Sequence, residues 1–197
     1  MKKIIVLSWL CLLLFMAGGL FWYCDWIYLQ PTPVPPNYKP VNIGQLIQVG
    51  LPLKYESKPV FLHFFNPLCP CSRFNIPTVK RLYKLYGAQV NFVIVVMSNR
   101  SYTVQEIQDK FDLAIPVVFD RGLALQCGVY STPQAVLLDA RHKLYYRGNY
   151  NNSRYCTDEK TNYAKIAIIK LLSGVAPPAF SAIALKAYGC SLPGCKK

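Results

Sequence analysis

Two cysteines separated by a single residue, with a serine directly after them, are the side chains of this sequence best suited to covalent chemistry. They form the run Cys69-Pro70-Cys71-Ser72 inside NPLCPCSRFNIP, residues 66–77. A cysteine attacks as the thiolate, and the amides and dipole of a helix N-terminus lower the pKa of a thiol placed there. Proline suits the first helical position, where no amide donor is needed. The pattern therefore predicts Cys69 as a helix cap and a nucleophile.

Three neighbours of Cys69 are predicted to take part. Arg73 adds positive charge, and the hydroxyl of Ser72, on the same side of the first turn, can donate a hydrogen bond to the thiolate. Cys71 is the nearest thiol for resolving a mixed disulfide. Residues two apart on a helix point to nearly opposite sides, so a Cys69–Cys71 disulfide would be strained and easily reduced. The structural alternative is a pair of buried, unreactive thiols.

The C-terminal tail offers a second source of a resolving thiol. Cys190 and Cys195 enclose a Pro-Gly turn, so they either form a local structural disulfide or supply the thiol that resolves Cys69. Cys127 and Cys156 are expected to pack in the core or to form one structural bridge. In an oxidising compartment all these thiols are candidates for disulfides, and their pairing cannot be read from sequence.

Strands and helices alternate around the cysteine motif. The near-continuous apolar runs at 59–65 and 90–97 are typical of strands covered on both faces. A hairpin and a last helix follow the alternation, which predicts an α/β sandwich with a mixed sheet. The expected strands are 59–65, 90–97, 116–119, 134–139 and 143–147, and the expected helices are 72–87, 103–111, 122–127 and 158–173.

The N-terminal segment is predicted to cross a membrane. Lys2 and Lys3 precede an uncharged run, residues 4–24, of about the length that a bilayer core needs. These lysines put the N-terminus inside, and aromatic residues after the run suit a membrane interface. A cleaved signal peptide is the alternative, with Ala17-Gly18-Gly19 as the cleavage site. We expect a single-pass membrane protein whose C-terminal domain lies on the periplasmic or extracytoplasmic side.

Composition and charge narrow the class of partner. Hydrophobic residues make up 53% of the chain, charged residues 16%, and the net charge is +13. The basic residues are scattered, and an exported domain has little access to nucleic acid, so we expect attraction to anionic lipid headgroups instead. The predicted divisions are an anchor at 1–29, a stiff proline-rich spacer and domain entry at 30–58, a domain at 59–176 and a cysteine-containing tail at 177–197.

The order of these elements and the spacing of three motifs resemble the thioredoxin superfamily. In that family the active cysteine follows a buried strand, and a proline kinks the next helix five residues after the second cysteine of Cys-x-x-Cys. Cys69, Ser72 and Pro77 stand at these three positions, with serine replacing the second cysteine. Residues 128–133 resemble the loop that faces the active cysteine, with Thr132-Pro133 as its cis-proline. The resemblance implies a thioredoxin-like three-layer sandwich with a mixed central sheet, after one transmembrane helix.

Residues 120–139 are similar to exported, membrane-tethered relatives that include the cytochrome c maturation oxidoreductases. The similarity implies a thiol-disulfide oxidoreductase that acts on exported proteins through their thiols or disulfides, with a membrane or periplasmic electron donor and no metal or cofactor. Tyr188-Gly189-Cys190 resembles a C-terminal Gly-Cys element of some redoxin-like relatives. The implied catalytic residues are Cys69 and Cys71, and the supporting ones are Pro70, Ser72, Arg73, Thr132 and Pro133.

Two other functions fit the same residues. A thiol peroxidase also needs a low-pKa cysteine here, but peroxiredoxins carry a threonine three residues earlier, where this chain has Asn66. A copper carrier would combine two cysteines with a histidine, because soft thiolates select copper(I). His63, within a strand, and His142, in a turn, are the histidines available. Peroxide consumption and metal analysis separate these functions from the oxidoreductase.

Overall fold

The N-terminal segment forms a long exposed helix, as the sequence predicts. The computed structural model describes residues 2–26, 30–50, 57–153 and 158–192. Helix α1 spans Lys2–Phe21 and runs into one wider π-helical turn, Trp22–Trp26. The stretch Lys2–Cys24 is long and apolar enough to cross a membrane, and none of it packs against the rest of the chain. Among the residues that the structure describes, this is the one helix long and apolar enough to span a bilayer.

A five-stranded mixed sheet forms the centre of the domain. Its order is β3-β2-β1-β5-β6, with β1, β2 and β3 parallel and with β5 and β6 antiparallel to their neighbours. The predicted hairpin is confirmed as the β5–β6 pair. The strands are β1 Val60–Phe65, β2 Asn91–Val96, β3 Val117–Val118, β4 Ser131–Thr132, β5 Gln134–Leu138, β6 Leu144–Gly148 and β7 Cys190–Ser191.

Local capping residues start the helices where the sequence predicts. Thr103 and Glu106 form the expected capping box, and the Asp120 carboxylate accepts a hydrogen bond from the Leu123 amide. A 3₁₀ turn at Glu159–Thr161 precedes the last long helix. The helices after α1 are α2 Pro70–Tyr86, α3 Val104–Phe111, α4 Arg121–Gln126, α5 Tyr163–Leu172 and the short α6 Ala182–Leu185.

Two apolar cores, one on each face of the sheet, make the domain a three-layer sandwich. Alternate residues of a strand point to opposite faces, so Phe61 and Phe65 of β1 enter one core while Leu62 and Phe64 enter the other. Helices α2, α3 and α5 cover the first face. Helix α4 and residues 41–49 cover the second. The strand β1 is completely buried between them, which holds its carboxyl end, and Cys69 beyond it, at a fixed place.

The two ends of the domain, which lie in the predicted spacer and in the predicted cysteine-containing tail, pack against it. We call residues 30–47 the strap and residues 187–192 the tail segment. The strap pairs with the tail segment at Pro31 and Tyr188, and with the start of β6 at Leu46 and Lys143. The tail segment includes β7, which pairs antiparallel with β4 in a second, two-stranded sheet. Long-range backbone pairing therefore holds both ends on the domain.

Candidate functional site

Cys69 caps helix α2, as predicted, with Pro70 at the first helical position. The Cys69 backbone is extended, with φ −82° and ψ 121°, and its amide donates to the Asn66 carbonyl over 3.0 Å. The Cys69 carbonyl accepts from the amides of Ser72 at 3.1 Å and Arg73 at 3.4 Å. Within the described chain no side-chain hydrogen bond caps this helix, so its positive end stays available to charge on the Cys69 sulfur.

The sulfur bonded to Cys69 is that of Cys190. The two Cα atoms lie 6.2 Å apart, and the bond joins residues 121 positions apart in the chain. We expected Cys71 as the nearer partner, but its place in the first turn of α2 turns it away from Cys69. The tail segment instead brings Cys190 to the disulfide through its pairing with Thr132.

Of the two alternatives for Cys190, a local bridge to Cys195 or a bond to Cys69, the structure shows the bond to Cys69. Cys195 and Cys156 lie outside the described residues. Cys71 is 2% exposed and takes no part in the Cys69–Cys190 bond. The Cys71 carbonyl accepts a hydrogen bond from Asn75 Nδ2 over 3.0 Å. Asn75 is itself a buried residue of helix α2.

The loop before β5 faces Cys69, as the resemblance implied. The Thr132–Pro133 peptide bond is cis, and the Cys69 sulfur lies 3.7 Å from the Thr132 carbonyl oxygen. A disulfide carries no thiol proton, so this contact becomes a hydrogen bond only once Cys69 is reduced. Thr132 Oγ1 is buried without a hydrogen-bond partner among the described residues. The Thr132 backbone edge pairs with the tail segment.

Ser72 and Arg73, the residues predicted to support Cys69, both bind the loop between β1 and α2. The Ser72 hydroxyl is fully buried and accepts a hydrogen bond from the Asn66 amide over 3.2 Å. Arg73 is exposed, and its Nε donates to the Pro67 carbonyl over 3.4 Å. Asn66 uses its side-chain oxygen to accept from the Leu68 amide at 3.0 Å. These three side chains therefore brace the loop between β1 and α2.

Thr32 of the strap joins the tail segment to the cis-proline loop, a contact that no local sequence pattern predicts. Its hydroxyl oxygen lies 2.8 Å from Ser131 Oγ and 3.2 Å from the Gly189 carbonyl oxygen. Ser131 Oγ in turn lies 3.2 Å from the Cys190 carbonyl oxygen. Two hydroxyl protons serve these three oxygen pairs, so two of the contacts are hydrogen bonds at any moment.

The strap and the tail segment also meet through their backbones. The Thr32 amide donates to the Ala187 carbonyl over 2.9 Å. Farther along the strap, the Tyr38 hydroxyl donates to the Gly128 carbonyl over 3.0 Å, and the Tyr38 and Tyr130 rings meet edge to face. The Gly189-Cys190 pair was the one sequence signal for this arrangement. Nothing local in the strap indicated that it would lie beside the disulfide.

Two other titratable groups suggested by the sequence are buried and are not reactive candidates. His63 is fully buried, which lowers its pKa to about 3, and its Nδ1 lies 2.7 Å from the Tyr150 hydroxyl oxygen. Burial likewise raises the pKa of the Cys127 thiol to about 12. Both are core residues, as expected. In the part of the chain that the structure describes, no three His, Cys, Asp or Glu side chains group closely enough to hold a metal ion.

Solved structures similar to this chain support a thioredoxin-like fold. A hypothetical protein from Sinorhizobium meliloti is 16% identical with a TM-score of 0.62, covering 78% of this chain and 95% of its own. An uncharacterized conserved protein from Geobacillus kaustophilus is 18% identical, with a TM-score of 0.60 and coverage of 81% and 91%. The thioredoxin domain of a thiol-disulfide oxidoreductase from Bacteroides vulgatus is 14% identical, with a TM-score of 0.50 and coverage of 61% and 98%. The predicted fold class is confirmed.

The chain is similar in sequence to curated redox proteins, and one family model matches most of it. The chain is 33% identical over 87 residues to the thiol-disulfide oxidoreductase ResA of Halalkalibacterium halodurans, which is 43% of this chain and 49% of that protein. It therefore spans about half the length of the curated relatives it matches. The model of DUF6436, a domain of unknown function, matches residues 43–192, from within the strap to the end of the tail segment. The chain belongs to the DUF6436 family.

Proposed function

We propose that this protein is a membrane-tethered, exported thiol-disulfide oxidoreductase that exchanges disulfides with protein thiols through Cys69. One observation carries the proposal. Cys69 stands at the N-terminus of α2, faces the cis-proline loop and is already joined to a second cysteine, Cys190. Similarity to thiol-disulfide oxidoreductases named ResA supports the same activity class.

The reaction begins from the reduced protein. The positive end of α2 favours the thiolate of Cys69, which attacks one sulfur of a substrate disulfide. A bond forms between Cys69 and that sulfur, and the second substrate sulfur leaves as a thiolate. The Cys190 thiolate then attacks the Cys69 sulfur, which forms the Cys69–Cys190 disulfide and releases the first substrate sulfur. The substrate gains two electrons, the protein loses two, and the reverse sequence oxidises a substrate dithiol.

We assign the resolving step to Cys190 rather than to Cys71. Cys190 is held opposite Cys69 by strand pairing and by the Thr32–Ser131 contact, so the two sulfurs meet without any rearrangement of helix α2. Cys71 would have to reach Cys69 from inside the same helical turn. In this proposal Cys71 remains a packed residue of α2, and Ser72 and Arg73 hold the loop that presents Cys69.

The anchor and the spacer set where this chemistry takes place. Residues 4–24 would lie in the bilayer, with Lys2 and Lys3 on the cytoplasmic side and the domain on the extracytoplasmic side. Only five residue steps separate Trp26 from Pro31, which fully extended span at most ~18 Å. The substrates would be exported proteins with thiols or disulfides, and a membrane or periplasmic donor would return electrons to the Cys69–Cys190 bond.

Three matched alanine variants test the proposal. Cys69→Ala should abolish exchange with a disulfide-bonded substrate protein. Cys190→Ala should still attack but should accumulate mixed disulfides, which mass spectrometry after acid trapping detects. Cys71→Ala should retain both steps. Full turnover by Cys69→Ala would overturn the proposed function, and full turnover by Cys190→Ala with loss in Cys71→Ala would return the resolving role to Cys71.

A further inference from the structure

We propose that the strand site beside Cys69, now filled by the tail segment, selects substrate segments in which a glycine directly precedes the reactive cysteine and an apolar residue follows two positions later. The inference rests on the proposed function, because it names the substrate class of that same site. The tail segment is treated as a bound example of such a substrate, since its cysteine already occupies the position that a substrate sulfur must reach.

The register of a bound segment is fixed by the sulfur that it must deliver. Thr132 pairs with Cys190 and Ser131 pairs with Ser191, and the Leu192 amide donates to the Tyr130 carbonyl over 3.4 Å. These contacts use only the backbone of the tail segment. Any extended chain can make them, provided that its cysteine stands opposite Thr132.

The position before the cysteine accepts only glycine. Gly189 has φ +129°, a backbone conformation that residues with a Cβ rarely adopt. A Cβ at this residue would overlap the Thr132 carbonyl oxygen, and it would stand 3.0 Å from the Thr132 carbonyl carbon and 3.2 Å from Pro133 Cδ. These neighbours are backbone and ring atoms of a buried loop, so they cannot rotate out of the way as the end of a long side chain could.

The position two residues after the cysteine favours an apolar side chain. Leu192 is 7% exposed and belongs to the apolar core beneath strand β1, together with residues such as Val129 and Leu123. Burying a leucine removes its apolar surface from water and so favours binding, whereas a charged side chain there would lose its hydration. The residue between them, Ser191, lies half-buried in β7 and imposes no comparable demand. The recognised pattern is therefore Gly-Cys-x-apolar.

The tail segment and a substrate strand compete for this site, and in the resolving step the returning tail segment displaces the substrate strand as Cys190 reaches Cys69. While Cys69–Cys190 is intact, the covalent bond keeps the tail segment in place, and Cys69 is a buried residue, 2% exposed. Reduction of that bond by two electrons frees both thiols, after which a substrate strand can replace the tail segment. The Gly-Cys pair of the tail is then the competitor that every substrate must displace.

A peptide-exchange experiment on the full-length protein tests this inference. The protein is the Cys190→Ser variant, whose Cys69 cannot be resolved by the tail. The probes are the hexapeptides AYGCSL and AYACSL, each carrying its cysteine as a mixed disulfide with 5-thio-2-nitrobenzoate. Attack by Cys69 on the peptide sulfur forms Cys69–S–S–peptide and releases the coloured thiolate, which is the better leaving group. Subtracting the rate of the Cys69→Ala, Cys190→Ser double variant removes reaction at other cysteines.

We expect the glycine peptide to react at least tenfold faster than the alanine peptide, with equal rates for both toward free glutathione. A third peptide, AYGCSK, should fall between them because it keeps the glycine and loses the apolar contact. Equal rates for AYGCSL and AYACSL would overturn the inference and leave the proposed function standing. Reaction of Cys69 with the small aromatic disulfide alone, and with no peptide, would overturn it as well. Failure with every disulfide, small or peptide, would overturn the proposed function itself.

Discussion

Replacing Gly189 with alanine changes how the tail segment fits its site and leaves both cysteines of the disulfide unaltered. The Gly189→Ala change leaves both sulfurs of the disulfide in the chain. It adds a Cβ that overlaps the Thr132 carbonyl oxygen at a residue with φ +129°. Since the loop around Thr132 is buried, the tail segment rather than the loop has to move. We expect the variant to weaken the Cys69–Cys190 bond without touching either thiol.

The expected size of the effect follows from the backbone conformation. Placing an L-residue in a left-handed conformation costs about 1–2 kcal/mol, before any steric overlap is counted. That cost appears as a smaller equilibrium constant for closing the disulfide, by roughly 5- to 30-fold. For a two-electron couple it corresponds to a midpoint potential about 20–40 mV less negative than that of the parent protein. The overlap with Thr132 makes these values a lower bound.

Redox titration against glutathione measures the change directly. Parent and Gly189→Ala proteins are equilibrated at a series of glutathione ratios, quenched with acid and scored for the Cys69–Cys190 bond by mass spectrometry. Gly50→Ala is the matched control, because a Cβ at Gly50 meets no atom of the described residues within 4 Å. A Gly189→Ala potential indistinguishable from that of Gly50→Ala would refute the claim that the tail segment needs glycine there.

Three further predictions concern residues around the site. Thr32→Val removes one of the two hydroxyl groups that join the strap to the cis-proline loop. The contacts that hold the tail segment in its site should weaken by about 1 kcal/mol. The equilibrium constant for closing the Cys69–Cys190 disulfide should therefore fall roughly fivefold in the same titration. Burial lowers the pKa of His63 from its ordinary value of 6.5 to about 3 and keeps the side chain neutral in the folded protein. Below pH 6.5 the unfolded chain therefore binds more protons than the folded one, and the free energy of unfolding should fall by about 2 kcal/mol between pH 6.5 and pH 5. Urea titrations of the His63→Gln variant should lack that loss. Cys127, with a pKa near 12 and no exposure, should resist alkylation at pH 8 in the folded protein and react in denaturant, as peptide mass spectrometry can show; rapid labelling of the native protein would contradict its placement.

Local patterns predicted most of the central domain. The capping box of Thr103 and Glu106 and the apolar runs of β1 and β2 depend on residues a few positions apart, so sequence alone was enough to locate them. The position of Cys69 was also predictable, because a strand, a proline and a helix follow one another directly in the chain. These elements are the ones whose physics is contained within a short stretch of sequence.

The partner of Cys69 depends on contacts that no short stretch contains. Thr32 meets Ser131 across 99 positions and Gly189 across 157, and the disulfide spans 121. Six cysteines already allow 15 pairings. Nearness in sequence favours Cys71 as the partner of Cys69, but residues two apart on a helix point to nearly opposite sides. Ser72 shows the same limit on a smaller scale. Its type predicts a donor to the Cys69 sulfur, and the additional contact that its oxygen accepts from the Asn66 amide depends on how the preceding loop folds.

The pairing of Pro31 with Tyr188 also determines how mechanical load enters the domain. If helix α1 is held in a bilayer, thermal drift of the domain pulls on the strap, and the first contact to bear that pull is with the tail segment, two residues before Cys190. The Cys69–Cys190 disulfide holds the tail segment on the domain, so a force on the anchor would pass through this contact to the disulfide. When the bond is reduced, the strap would still be held at Tyr38 by its hydrogen bond to the Gly128 carbonyl, so release of the seven residue steps before Tyr38 would lengthen the tether by up to ~25 Å. The same electrons that open the site would then also extend the distance over which the domain can search for a substrate.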